Sequence, residues 1–319
     1  MTAPALNVAV LMGGPSAEAE VSRASAAEVG KGLTAAGHRA TRLELDSSTA
    51  AALLQLAPDV VFPALHGPPG EDGTVQGFLE LLGYPYVGAD VHGSAVAMDK
   101  GLAKAVFRRV GLSVTDDVII AQGTEPAAAE AEIRSALGER VVIKPLSQGS
   151  AIGVTRVANG GELGAAVASA LSFGTGVLVE PYVLGREITV GVLDLHGHDP
   201  QALPVIEIRT ATDEWYDYTN RYTAGKSDHI IPAPMTDELS AALQASAISA
   251  HVALGLRDLS RADYIVTDND EIALLEVNTL PGMTPTSLFP DGARAIGMDF
   301  PALMDALVRS AHSRGGGKG

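Results

Sequence analysis

The stretch Arg261-Ala-Asp-Tyr-Ile-Val-Thr-Asp-Asn-Asp-Glu-Ile-Ala-Leu-Leu-Glu-Val-Asn278 reads as two short strands joined by a polar turn. Side chains repeat every two residues along a strand, so Glu276 and Asn278 share one face. Asp263 comes up beside them on the adjacent strand. Three oxygen donors that converge in this way describe a hard-cation site. Mg²⁺ prefers oxygen and is carried by one or two carboxylates together with substrate phosphates. The hairpin therefore predicts a Mg-nucleotide site.

Upstream, strands and helices alternate. Asn7-Val-Ala-Val-Leu-Met12 is an apolar run of the kind found in buried parallel strands. Gly13-Gly-Pro-Ser16 follows as a turn, with Ser16 the expected N-cap of a helix over 17–36 that Gly37 ends. Strands at 40–45 and 59–65, helices at 49–56 and 74–82, and a short strand at Tyr86-Val87 continue the rhythm. This βαβαβ order predicts a doubly wound parallel sheet. A helix from Ser94 to Val110 leads into a second unit. Its expected strands are 118–121, 140–144, 153–157 and 176–180, with helices near 125–137 and 160–172. A third unit opens near Gly185 with a strand at 186–193, followed by a polar loop at 210–229 and a helix at 236–255. After the hairpin, a helix at 300–312 precedes a glycine-rich tail.

Composition narrows the function. With 319 residues, of which 46% are hydrophobic, the chain can bury two or three cores. No apolar run reaches the roughly 18 residues of a membrane span. The N-terminus carries no basic, apolar signal pattern, so a cytoplasmic protein is expected. Cysteine is absent, which excludes disulfides, thiolate metal sites and a cysteine nucleophile. A net charge of −16 argues against a general nucleic-acid binder, but ATP needs only a few local cations.

Several stretches could carry chemistry. Gly149-Ser-Ala-Ile-Gly153 lies between two strand candidates and is not a Walker loop, yet a glycine-rich hairpin tip can lay backbone N–H groups over phosphates. Lys144 ends an apolar strand, where a charge is costly unless paired. Lys100 is a second candidate phosphate cation. Glu180 and Glu187 flank the junction of the second and third units and could accept from an adenine amino group and ribose hydroxyls. Gly13-Gly-Pro-Ser-Ala-Glu18 and His66-Gly-Pro-Pro-Gly-Glu-Asp-Gly73 lie at the carboxyl ends of strands, where open α/β sheets bind ligands. There Glu18 could meet an ammonium group and His66 a carboxyl. Asn278-Thr-Leu-Pro-Gly-Met-Thr-Pro-Thr-Ser-Leu288 is too polar and proline-rich for a helix and would border the reacting phosphate. Taken singly, each has a structural reading: a hairpin turn, a solvated lysine, an exposed acid, a satisfied histidine. Their joint presence carries the functional one. No Gly-x-Ser-x-Gly elbow, zinc histidine cluster or GxGxxG fingerprint competes with it.

Together these residues resemble the D-alanine–D-alanine ligase family of the ATP-grasp superfamily, from about Val8 to about Leu307. The most specific pieces are His66-Gly-Pro-Pro-Gly-Glu-Asp-Gly-Thr-Val-Gln-Gly77 and Leu275-Glu-Val-Asn-Thr-Leu-Pro-Gly282. The resemblance implies a three-domain ATP-grasp fold: a doubly wound parallel α/β domain over 1–94, a central ATP-binding domain over 95–183 and a catalytic domain over 184–319. ATP lies between two antiparallel-sheet units in that fold, and a homodimer is usual. It also implies the reaction. ATP phosphorylates the carboxylate of one D-alanine, and the amine of a second attacks the acyl phosphate.

Carried over by position, the resemblance makes Asp263, Glu276 and Asn278 ligands of two Mg²⁺ ions, for which Mn²⁺ can substitute. Lys100, Lys144, Ser150, Glu180, Val183, Glu187 and Arg221 would bind ATP. Arg261 would stabilise the tetrahedral oxyanion. Glu18, His66, Gly282, Ser287 and Leu288 would hold the two substrates, and Ser150 and Tyr222 would bond with Glu18 and pin a closing loop near 210–229. The products would serve peptidoglycan precursors. Tyr222 favours an amine nucleophile over a hydroxy acid. Three departures stand out. Arg221 replaces a lysine, with Lys226 nearby; Asp258 replaces a small residue and is expected to alter the approach to Arg261; and Ala151 replaces a serine. Two competing readings are an ATP-grasp ligase for another amino-acid or hydroxy-acid pair and a non-catalytic nucleotide-binding relative.

Overall fold

The computed structural model describes residues 4–149, 151–158, 160–210 and 227–316. Among the described residues the strands form three sheets. The first is parallel, in the order β2-β1-β3, from β1 (Asn7–Met12), β2 (Arg39–Glu44) and β3 (Val60–Pro63). Successive side chains of β1 point to opposite faces, and both faces are apolar. Val8 and Val10 pack toward α1 (Ala19–Ala35), while Ala9 and Leu11 pack toward Leu53 of α2 (Thr49–Leu56) and Leu79 of α3 (Thr74–Leu82). This is the expected doubly wound layer. Tyr86 contributes an isolated bridge to Val61, in place of the short strand expected at Tyr86-Val87.

The helix expected over 94–110 is two helices, α4 (Val91–Met98) and α5 (Lys100–Arg109). Asp99 breaks it. Its backbone is extended and its side chain accepts from the Leu102 N–H, so it caps α5 instead of continuing α4. Lys100 is thereby the first residue of α5. The second sheet is antiparallel, β4-β7-β5-β6, built from β4 (Val118–Ile120), β5 (Val141–Pro145), β6 (Thr155–Val157) and β7 (Val177–Pro181). Helices α6 (Pro126–Leu137) and α7 (Leu163–Leu171) cover one face, against Val141, Ile143, Val177 and Val179. The period-2 alternation then assigns Val142, Lys144 and Glu180 to the other face.

The third sheet runs β11-β10-β8-β12-β13, with β9 (Gln201–Ala202) beside β8 (Arg186–Asp194). Its remaining strands are β10 (Ile206–Thr210), β11 (Ser227–Ile230), β12 (Asp258–Val266) and β13 (Ile272–Asn278). Helix α8 (Asp237–Ala253) packs on it. β11 corrects the end of the expected loop at 210–229; residues 211–226 lie outside the described residues. A helix absent from the sequence reading, α9 (Leu288–Ala295), follows the loop after β13. The last helix, α10 (Phe300–Arg314), crosses back to the first sheet, where Leu303, Met304, Leu307, Val308 and Ala311 share a core with Val8, Val10 and Val29.

One further expectation needs correction. Ser16 does not cap α1. The helix begins at Ala19 with Glu18 in the cap position, and the Ser16 hydroxyl accepts from the Glu18 N–H one turn earlier. Asp258 does not face Arg261. Three residues apart on one strand, the two point to opposite faces, and Asp258 is bonded to Arg314, Ser310 and Gly88.

Candidate active site

The antiparallel register of β12 and β13 sets Arg261 opposite Asn278 and Asp263 opposite Glu276. Four polar side chains thus share one face of two neighbouring strands. The Arg261 guanidinium grips Asp263 with two hydrogen bonds, 2.8 Å from Nε to Oδ1 and 2.6 Å from Nη2 to Oδ2. The Asp263 carboxylate also accepts from Thr189 Oγ1 at 2.6 Å and from Asn278 Nδ2 at 3.0 Å. Because Asn278 donates its amide nitrogen inward, its carbonyl oxygen is left as the group able to ligate. Lys100 Nζ approaches Glu276 Oε2 at 3.6 Å and donates to the Gln148 carbonyl at 2.6 Å. An all-oxygen donor set beside two lysines fits a hard divalent cation that arrives with phosphate.

A cavity of about 460 Å³ opens between the second and third sheets. Lys100, Lys144, Glu180, Val183, Glu187, Asp263 and Glu276 all line it, so seven of the expected nucleotide and metal residues meet in one space, while Asn278 does not line it. Glu180 is buried and held between two lysines, with Lys104 Nζ 2.5 Å from Oε1 and Lys144 Nζ 2.6 Å from Oε2. Burial alone pushes its carboxyl up, but the two lysine charges overcome this and hold it at about 2. Lys104, fully buried, also donates to Thr115 Oγ1 at 2.8 Å and lies 3.2 Å from Asp117. The sequence reading missed Lys104, Thr115 and Asp117. The available signal was helical spacing, since Lys104 lies one turn after Lys100 on the same face.

The other corner of the site lies where the first sheet meets the hairpin between β5 and β6. Glu18, at the start of α1, and His66, after β3, are both buried. Gly67 has φ +66°, and a Cβ there would fall 2.8 Å from both Glu18 Oε2 and Ser16 Oγ. The positive φ favours glycine here, and the missing Cβ leaves room for both side chains. A Cβ on Gly149 would lie 3.2 Å from Glu18 Oε2 and 3.7 Å from Glu71 Oε2, so the hairpin tip reaches both acids. Glu71 accepts from the Gly67 N–H at 2.6 Å. Burial, reinforced by the nearby Glu18 charge, pushes its carboxyl up to about 8. His66 pairs with Ser25 Oγ at 3.0 Å, and burial followed by the Arg261 charge pulls its imidazole down to about 4. It is therefore neutral near pH 7. Glu71 sat inside the quoted His66–Gly77 motif with no role attached to it.

Ser287 occupies the N-cap position of α9, and its Oγ accepts from the Thr284 N–H at 3.1 Å. A Cβ on Gly282 would meet Ser287 Oγ at 3.2 Å, so these two expected residues adjoin. The first N–H groups of a helix, beginning at Leu288, form a ready anion site. Ser150, Arg221, Tyr222 and Lys226 lie outside the described residues. Among the described residues, no helix is long and apolar enough to cross a membrane.

Two family models match the chain, one described as "D-ala D-ala ligase C-terminus" over residues 106–309 and one as "D-ala D-ala ligase N-terminus" over residues 38–89. A D-alanine–D-alanine ligase of Moorella thermoacetica is 46% identical over 307 residues, covering 95% of this chain and 98% of its own. One from Acidiphilium cryptum is 44% identical, covering 96% and 99%. Among solved structures, the ATP complex of D-alanine–D-alanine ligase from Bacillus anthracis superposes with a TM-score of 0.83 at 30% identity, covering 97% of this chain and 98% of that one. The VanG D-Ala:D-Ser ligase of Enterococcus faecalis superposes with a TM-score of 0.82 at 31% identity, covering 97% and 100%.

Proposed function

The chain belongs to the D-alanine–D-alanine ligase family, and from that premise we propose how its residues carry out the reaction. The enzyme joins two D-alanines to D-alanyl-D-alanine, converting ATP to ADP and phosphate. The observation that carries the assignment of roles is the single cavity in which Lys100, Lys144, Glu180, Glu187, Asp263 and Glu276 meet.

ATP occupies that cavity, with its adenine toward Glu180 and Val183 and its ribose toward Glu187. Lys100 and Lys144 take the phosphates. Asp263, Glu276 and Asn278 hold Mg²⁺, which when bound neutralises charge on the transferring phosphoryl group. Glu18 holds the ammonium of the first D-alanine and His66 its carboxyl side. Neutral His66 can donate a hydrogen bond without adding a second fixed cation beside Arg261. A carboxylate oxygen of this substrate attacks the γ-phosphorus, and ADP leaves. The second D-alanine is bound through its carboxylate by Ser287 and the Leu288 N–H at the start of α9. Its amine, having lost a proton, attacks the carbonyl carbon of the acyl phosphate. Arg261, fixed by its grip on Asp263, stabilises the oxyanion, and phosphate departs.

The division near 1–94, 95–183 and 184–319, a cytoplasmic location, a role in peptidoglycan precursor synthesis and a homodimer belong to the same proposal and rest on family membership. A D-Ala:D-Ser ligase superposes as well as the D-alanine ligases do. Acceptor choice therefore resides in side chains around the second subsite and not in the fold, in keeping with the few contacts that separate such substrates. The test is incubation with ATP, Mg²⁺ and D-alanine, following phosphate and dipeptide mass together. Equimolar D-alanyl-D-alanine and phosphate are expected. Phosphate with a mixed product only when D-serine or D-lactate is added would reassign the acceptor.

A further inference from the structure

Asp258 begins the strand that carries Arg261 and Asp263, and its surroundings set it apart from an ordinary strand terminus. The side chain has 0% exposure. Its carboxylate accepts four hydrogen bonds: from the Gly88 N–H at 2.8 Å, Ser310 Oγ at 2.8 Å, and Arg314 Nη1 and Nη2 at 2.7 Å each. Its backbone is left-handed, at φ +62°, a conformation that aspartate and asparagine tolerate better than other side chains. Three parts of the chain meet on this one group: the start of β12, the last turns of α10, and the segment that follows α3.

That segment is gripped from more than one side. Arg314 Nη2 also donates to the Tyr86 carbonyl at 2.9 Å. Arg257, next to Asp258, donates to the Gly88 carbonyl at 2.9 Å, and its guanidinium lies 4.9 Å from the Tyr86 ring centroid. Tyr86 bridges Val61 of β3, the strand that leads into His66. The first-substrate corner is split between these same two strands, with His66 beyond the end of β3 and Arg261 three residues into β12. A buried carboxylate with every acceptor direction used, standing on the Arg261 strand and bonded to the segment that bridges β3, fixes how far apart the two halves stand.

We propose that Asp258, with Arg314, is a positioning residue that sets the spacing between the His66 and Arg261 halves of the first D-alanine site. This rests on the proposed reading of that site. None of Asp258, Arg314, Ser310 and Gly88 lines the nucleotide cavity between the second and third sheets, so D-alanine binding should respond to the clamp more than ATP binding does.

Asp258→Asn keeps the volume and the left-handed backbone while removing the charge. It should raise KM for the first D-alanine by about tenfold or more, since small misplacements of reacting groups are costly. KM for ATP should stay within about twofold. The double variant Asp258→Asn/Arg314→Gln restores a neutral hydrogen-bonded pair and should recover most of the loss. If Asp258→Asn does not fold, Arg314→Lys, which keeps the charge and loses the fork, carries the same comparison. A lowered Tm with unchanged KM for D-alanine would overturn the proposal, as would parallel changes in both KM values. Absence of D-alanine-dependent phosphate release from the unmodified protein would instead sink the reading of the site itself.

Discussion

The nucleotide cavity and the first-substrate corner handle buried charge in opposite ways. In the cavity, Glu180 is ionised and clamped by Lys104 and Lys144. In the corner, Glu71 is pushed toward its neutral form and His66 is held neutral. The cavity holds a buried acid already paired with lysines; the corner pushes two buried groups toward neutrality beside the Glu18 and Arg261 charges. The ligands explain the contrast. A nucleotide needs fixed donors and acceptors of known sign before it arrives. In the proposed reading an amino acid brings its own ammonium and carboxylate, for which Glu18 and Arg261 offer one charge of each sign, and neutral neighbours leave that balance undisturbed.

The largest effect should come from the hairpin that serves both regions. Glu276→Ala should lower turnover by roughly 10³-fold or more, because a catalytic metal supplies several kcal/mol of transition-state stabilisation. Unchanged D-alanine-dependent phosphate release would remove Glu276 from the metal set. Next comes Lys104→Met, which keeps the volume and deletes one of the two clamping charges. Breaking a buried pair costs about 3–5 kcal/mol, so urea unfolding should register a loss of that order and ATP should bind more weakly. A variant as stable as the parent would break the contrast, since Glu180 would then not depend on a paired environment.

The smallest effect on turnover, and the sharpest on the comparison, concerns pH. The Glu71 carboxyl is raised in the folded protein from 4.5 to about 8. Its contribution to stability is therefore complete below pH 4.5 and is lost as pH rises toward 8, with a slope of at most about 1.4 kcal/mol per pH unit. Glu71→Gln should abolish that slope. Glu180 runs the other way: its contribution is present above pH 4.5 and is lost as pH falls toward 2. Chemical unfolding of the parent and of Glu71→Gln from pH 5 to 8 would isolate the Glu71 slope, because the Glu180 window lies below pH 4.5. Parallel curves would mean that Glu71 is not charge-suppressed.

Much of this was legible in the residues. Period-2 alternation in β5, β7, β12 and β13 places Lys144, Glu180, Asp263, Glu276 and Asn278 without any tertiary information, and the structure puts four of them on the cavity wall. The pairing of Glu180 with Lys104 was not legible, because a lysine on an amphipathic helix looks solvated until the packing of α5 on the second sheet is known. The break at Asp99 depends on whether an aspartate caps or continues a helix, and local sequence permits both. Helix α9 was hidden by Pro290 and Gly292, poor helix formers in its interior. For Asp258, the residue type was legible but its partners were not: strand geometry turns it away from Arg261, toward Arg314, Ser310 and Gly88, which lie far off in sequence.

The return of α10 to the first sheet has a consequence for how the protein is made. Val8, Val10 and Val29 share a core with Leu303, Leu307 and Ala311, residues nearly three hundred positions later. The ribosome therefore delivers one wall of that core nearly three hundred residues before the other. Until α10 has been made, the α10-facing side of the first sheet has no permanent cover. Such a long-range closure is slow and exposes apolar surface meanwhile. A chain stalled or truncated before residue 300 would keep the β12–β13 hairpin and yet be a client for chaperones, with one wall of its first core missing.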